Sequence, residues 1–403
     1  MAILVSGLRR HPVPRILVPM IGRPVVFAIL GAVAVAALAA ALAACSPHRA
    51  IEAARVLADI QAGEGPSSLK AATPPPERAP VVYRVAGRVH GGDLYRAGNG
   101  ARAAIVLVPG VAEAGKDDRR LVAFANTLAR ARFAVLVPDI GALRALKVRA
   151  SDSRDIADAV AYLSSLDGAA PHGRVGIAAI SYAVGPAILA ALEPDVRDRV
   201  HFVVGIGGYH DIAAVVTFFT TGRYRERPGR PWRYREPNVY GKWVFVLSNV
   251  ERVRDPGDRT ALDAMARRRL RDLGADISDL TADLGPEGRA FYALLTNTDP
   301  GRVPALIAGL PAEVQADMAA LNLALKDLGR LKARLILVHG REDDIIPFTE
   351  SRALAQAVAS GQADLFIVDG LRHVDPKPGV IGGLQLWRAV YRLLEERDAG
   401  AGT

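Results

Sequence analysis

The sequence predicts an α/β fold: a mostly parallel sheet flanked by helices, with a mostly helical cap inserted late in it. Three observations point there. Short, wholly apolar runs recur, namely "AAIVLVPG", "FAVLVPDI", "RVGIAAI", "HFVVGIGG", "ARLILVHG" and "ADLFIVDG", and strands of this kind are buried on both faces, as in parallel sheets. Amphipathic stretches such as "DDRRLVAFANTLARA" and "SRDIADAVAYLSSL" alternate with them, which is the pattern of crossover helices packed on a sheet. About 120 residues then separate the run ending near Gly208 from the one starting near Ala333, too many for a structureless loop inside a domain.

Taken in order, residues 1–45 read as an export signal or anchor. Arg23 precedes an apolar run, Val25 to Ala44, that ends in Leu42-Ala43-Ala44-Cys45. That ending resembles the lipobox of bacterial lipoproteins, which implies that Cys45 is lipidated and becomes the new first residue. Cys45 is the single cysteine, so the chain has no internal disulfide. The run is also long enough to span a bilayer uncleaved, and both fates place the rest of the chain outside the cytoplasm, at a membrane. Residues 46–80 read as a short helix ("RAIEAARVLADIQAG") and a Pro/Ser/Gly-rich tether ("EGPSSLKAATPPPERAP").

"VVYRVAGRVHGGDLYRAG" reads as a hairpin at the sheet edge. The core is expected over 81–215 and 331–403, and the cap over 216–330. Within the cap, 260–273, 287–297 and 311–328 have helical patterns and "KWVFVLS" is strand-like. The cap's apolar residues Phe218, Phe219, Phe291, Tyr292, Leu294 and Leu295 are expected to roof the site.

The net charge is +9, but four arginines and no acids precede residue 45, which leaves +5 for the remainder. That surplus does not support nucleic-acid binding. The run "RYRERPGRPWRYREP" interleaves six arginines with Tyr224, Trp232 and Tyr234. In an exported protein it reads as a solvated loop, or as a surface for lipid headgroups or an anionic substrate. No cofactor is called for, and with no close Cys/His/Glu cluster no metal site is expected.

Ligands of open parallel sheets bind at the carboxyl ends of the strands. The polar residues at those ends are Asp139, Ser181, His210, Asp211, His339, Asp343, Asp344 and His373. Ser181 stands in "GIAAISYAVG", a strand that stops at a serine flanked by Ala179 and Ala183 and resumes as helix. A serine there is either a helix cap or a nucleophile on a tight turn. The sequence "HGREDDIIP" and His373 in "VDGLRHVDP" follow later in the chain. Together these segments resemble the α/β-hydrolase superfamily, in which a serine elbow, an acid and a histidine follow in that order. The usual elbow has glycines where this chain has the two alanines.

The resemblance implies Ser181 as nucleophile, Asp343 as acid and His373 as base, with the backbone N–H groups of Val111 and Tyr182 as the oxyanion hole. Asp344 and Asp211 stand as alternative acids. His339 reads as a structural residue, His210 as a pocket-lining or solvent-facing one, and Asp139 as a strand end. The implied activity is that of a membrane-tethered serine esterase acting on a small-molecule or lipid ester. Acyl transfer by the same triad and a non-catalytic binding role are the alternatives.

Overall fold

The computed structural model describes residues 46–399 apart from Asn99, Pro171, His172, Pro228, Val374, Lys377 and Pro378. The apolar run and Cys45 lie outside the described residues. The chain divides into two units at Ala50. Of the first, only the opening residues of a helix are described. The second, Ile51–Thr403, carries the sheet.

Strand β1 (Glu77–Val85) pairs antiparallel with β2 (Arg88–Arg96) from Glu77↔Arg96 to Val85↔Arg88. The two residues between them, Ala86 and Gly87, both have positive φ (46° and 82°), as a two-residue hairpin turn requires. The wholly apolar runs become β3 (Ala103–Val108), β4 (Phe133–Pro138), β5 (Val175–Ile180), β6 (Val200–Ile206), β9 (Arg334–Gly340) and β10 (Ala363–Val368). The sheet order is β1-β2-β4-β3-β5-β6-β9-β10. It is antiparallel at β1/β2 and β2/β4 and parallel in the other pairs. Two small ribbons pair β7 (Arg223–Tyr224) with β8 (Arg233–Tyr234) and β11 (Leu371–Arg372) with β12 (Asp375–Pro376).

The helices in chain order are α1 (Pro47–Ala62), α2 (Ser68–Ala72), α3 (Arg119–Arg130), α4 (Gly141–Arg144), α5 (Asp152–Ser165), α6 (Val184–Leu192) and α7 (Ile212–Thr221). Then follow α8 (Tyr240–Asn249), α9 (Pro256–Arg271), α10 (Pro286–Thr296), α11 (Val303–Ala308), α12 (Ala312–Leu321), α13 (Thr349–Ala357) and α14 (Val380–Asp398). Because side chains alternate along a strand, each strand feeds two cores. Ile105, Leu107, Val135 and Val137 pack with α1, α3 and α14 on one face. Ala104, Val106, Ala134 and Leu136 pack on the other face with α5, α6 and the helices between β6 and β9.

Two sequence expectations are corrected. The segment read as a tether is bound to the core. Leu69 of α2 is buried in one cluster with Ala53, Val56 and Leu128. The buried Asp59 accepts from Lys70 Nζ (2.6 Å), Thr127 Oγ1 (2.6 Å) and the Ser67 hydroxyl. One leucine and one buried carboxylate override the Pro/Ser/Gly composition. "KWVFVLS" is part of helix α8, where Trp243, Val244, Val246 and Leu247 are all buried. A helix covered on most sides loses the one-sided periodicity that would have identified it.

Candidate active site

The order of the sheet places the site. After β3 the chain moves one way to β4, and β5 lies on the other side of β3. The reversal opens a crevice at the carboxyl ends of β3 and β5. Gly110 and Val111 follow β3, Ser181 follows β5, and all three border one cavity of about 880 Å³.

Ser181 has φ = 60°, a left-handed conformation that a non-glycine residue holds only where its surroundings enforce it. The enforcement is visible on both sides: Ala179 and Ala183 are completely buried, and α6 begins at Val184. Its hydroxyl donates to His373 Nε2 at 2.8 Å. His373 Nδ1–H donates to Asp343 Oδ2 at 2.8 Å. The other oxygen of Asp343, Oδ1, accepts from the backbone N–H groups of Ile345 and Ile346, each at 2.9 Å.

Asp343 is fully buried, and burial alone would push its pKa up. Electrostatic attraction to the His373 ring and the hydrogen bonds from His339 and His373 outweigh that and hold it well below the usual carboxylate range. An ionised carboxylate only accepts. The proton of His373 is therefore on Nδ1, and Nε2 is left to take the serine proton.

Gly207 follows β6 with φ = 63° and passes close to this pair; a Cβ there would lie 3.4 Å from Asp343 Oδ2 and 3.5 Å from the His373 ring. Those are ordinary van der Waals contacts, so the glycine is required by the backbone angle.

Three residues that sequence reasoning left outside the site support it. His339 is fully buried; its Nε2–H donates to Ile346 O (2.9 Å) and lies 3.3 Å from Asp343 Oδ2. Its Nδ1 forms a hydrogen bond with the Ser351 hydroxyl (2.7 Å). Arg235, from the cap side, donates to the carbonyls of Arg341 (2.7 Å) and Asp343 (2.9 Å) and so braces the acid loop. Glu350 accepts from the N–H groups of His210 (3.1 Å) and Asp211 (2.8 Å). His339 was visible as a strand-end histidine. The other two act across more than a hundred residues and leave no local pattern.

The remaining candidates fall elsewhere. Asp344 offers its backbone carbonyl to Asn238 N–H (2.7 Å). Asp211 caps α7 by accepting from Ala213 N–H (2.9 Å), and Asp139 pairs with Arg144 (2.9 Å).

No family model and no curated protein matches this sequence. Solved structures do. A protein of Legionella pneumophila described as a hydrolase superimposes with a TM-score of 0.50, over 80% of this chain and 90% of its own, at 12% identity. The chain has the α/β-hydrolase fold. An α/β-hydrolase of Penicillium (TM-score 0.47, 15% identity, 81% of this chain and 100% of that one) also matches. So does a dienelactone hydrolase of Anabaena variabilis (TM-score 0.42, 14% identity, 79% and 98%). At such identities the likeness concerns the fold alone.

On this α/β-hydrolase core the cavity roof differs from the expected one. Phe218 is buried with Tyr224 and Phe348, while Phe219, Phe291, Leu294 and Leu295 belong to the continuous core beneath the cap. The cap residues that border the cavity are Tyr240 and Leu247 of α8 and Arg267, Leu270 and Arg271 of α9. The predicted aromatics are too apolar to remain at an open mouth, and the cap uses them for its own interior. Glu113, Asp118, Arg120 and Leu121 also line it, so the cavity has apolar side chains and charges of both signs on its walls.

Proposed function

We propose that this chain is an exported, membrane-tethered serine hydrolase that cleaves carboxylic esters through an acyl-Ser181 intermediate. The observation that carries the reading is the unbroken relay Ser181–His373–Asp343, with both hydrogen bonds at 2.8 Å. In the first step His373 Nε2 takes the serine proton as Oγ attacks the ester carbonyl. The tetrahedral oxyanion is met by the N–H groups of Val111 and Tyr182, which border the same cavity. His373 then returns the proton to the leaving alcohol, and water repeats the sequence to release the acid.

A cavity of about 880 Å³ whose lining includes Ile180, Leu247, Leu270 and Ile345 suits an ester with a sizeable apolar part. Tethering is part of the proposal and rests on the apolar run and Cys45. No helix among the described residues is long and apolar enough to cross a membrane.

The test is fluorophosphonate labelling together with a panel of p-nitrophenyl esters of increasing chain length, with amide and lactone analogues. Wild-type protein is expected to be labelled and to hydrolyse the esters. Ser181→Ala is expected to lose both by several orders of magnitude while keeping its circular dichroism. Unchanged turnover in Ser181→Ala would remove the assignment. Faster release with added alcohols and formation of new esters would identify a transferase, and no labelling of wild type would identify a non-catalytic binding protein.

A further inference from the structure

We propose that the arginine hairpin β7–β8 and the first turn of α14 together form a rim that docks on an anionic lipid bilayer. The hairpin pairs Arg223 with Tyr234 and Tyr224 with Arg233. Its side chains divide sharply. Tyr224 is buried against Phe218 and Phe348 and fixes the base, whereas Arg223, Arg225, Arg227, Arg230 and Arg233 are all exposed. Of these five, only Arg233 meets a carboxylate among the described residues, Glu226 at 3.0 Å.

Two of the others lie over aromatic rings. The Arg225 guanidinium is 4.5 Å from the centre of the Trp232 ring, and that of Arg223 is 5.1 Å from the centre of the Tyr234 ring. Stacking of this kind holds the plane of a guanidinium while its N–H edge remains free for phosphate oxygens. Trp232 (37% exposed) and Tyr234 (56%) stand beside these cations, and such rings are enriched at the headgroup level of membranes.

The second observation is independent of the charge. Val380, Ile381 and Leu384, on the first turns of α14, are 92%, 68% and 56% exposed. Three large aliphatic side chains on one short stretch of helix form an apolar patch with no cover among the described residues. The two features are neighbours in the fold. Ile367 of the edge strand β10 packs against the hairpin base, and the next residue, Val368, packs with Leu386 and Ala389 of α14. Consecutive residues face opposite sides of a strand. The hairpin and α14 therefore flank the same end of β10, one on each face.

A cationic, aromatic hairpin alone would suit a nucleic acid as well as a lipid headgroup. The aliphatic triplet decides between them, because it has no partner on a polyphosphate strand but has one in the acyl region below a headgroup layer. Arg235, immediately after β8, holds the loop of Asp343, so the rim is built directly on the rigid part of the proposed active site.

The test uses the full chain reconstituted in vesicles of phosphatidylcholine and in vesicles of phosphatidylcholine with phosphatidylglycerol. Trp232 is read by its emission and its acrylamide quenching, taken as the difference between wild type and Trp232→Phe. The expected result is a blue shift and protection from quenching only with phosphatidylglycerol, reversed by raising salt well above ~0.1 M. Replacing Arg225, Arg227 and Arg230 by Gln should lower the ratio of docked to free rim about a hundredfold, roughly fivefold for each arginine, which corresponds to about 1 kcal/mol per charge at an anionic surface. A second variant, Ile381→Ser with Leu384→Ser, keeps every charge and should weaken the docking while preserving its dependence on phosphatidylglycerol. Equal protection in both vesicle types, or protection in neither, would overturn the proposal. Tighter saturation by a single-stranded RNA than by the anionic vesicles would overturn it in favour of nucleic acid.

Discussion

The carboxylate of Asp343 reaches His373 through one oxygen and is held by two backbone N–H groups through the other. Asp344, its neighbour in sequence, contributes to the loop through its backbone carbonyl. The two acids therefore make different contacts although adjacent in the chain. Asp343→Asn should lower ester turnover by about 10⁴-fold, because an amide no longer enforces the proton on Nδ1 of His373. Asp344→Asn should stay within a few-fold of wild type, and kcat measured for both substitutions checks the pair. A reversed result would move the acid to Asp344. Apolar runs marked the strands that Ser181, Asp343 and His373 follow, and the resemblance to the α/β-hydrolase pattern singled these three out among the polar residues at strand ends. Arg235 and Glu350 were not legible, because each braces the site through a backbone group of a residue remote in sequence.

At the scale of elements, the apolar runs and the amphipathic stretches between them were sufficient for the parallel strands and for α3 and α5. The cap was legible as helical in outline but not in its packing. Helix α8 has buried residues on most of its surface, and no periodicity distinguishes the side facing the cavity from the side facing the core.

The packing between elements is close where the cap meets α6. A Cβ added at Gly185 of α6 would lie 1.9 Å from Tyr209 Oη. That hydroxyl donates to the carbonyl of Leu321 at the end of α12 (3.2 Å). Gly185→Ala must therefore push Tyr209 off its place between the core and the cap, and it should cost about 1–3 kcal/mol, as overpacking does. Tyr209→Phe removes only the hydrogen bond and should cost about 1 kcal/mol. Urea denaturation of both variants gives the comparison. A Gly185→Ala protein as stable as wild type would mean that the helix and the tyrosine do not pack this closely.

At the scale of the whole molecule, the sheet face bearing α5 and α6 and the interior of the cap form one hydrophobic cluster. It runs from Val106 and Ile177 through Phe219 and Trp243 to Phe291 and Leu294. Removal of the cap would therefore uncover this face of the sheet. Glu350 joins α13 to the backbone that enters α7, the helix that leads from the core into the cap.

Burial is the largest influence on Glu350 and raises its pKa from 4.5 to about 7, against the pull of the two N–H groups it accepts from. A raised carboxylate pKa means that the folded state keeps a proton that the unfolded state releases. The associated stability is fully present below about pH 4.5 and is lost as pH rises through about 7, amounting to about 3 kcal/mol. Asp152, raised to about 7 by burial, acts in the same direction. His201, lowered to about 4 by burial and by the Arg174 charge, acts in the opposite one between pH 4 and 6.5. The wild-type curve alone therefore mixes several groups, and the informative quantity is the difference from Glu350→Gln. That variant should gain on wild type by up to about 3 kcal/mol between pH 4.5 and pH 8 in urea denaturation, with no change in the difference at lower pH. A difference that stays constant across the range would mean that Glu350 carries no proton linked to folding.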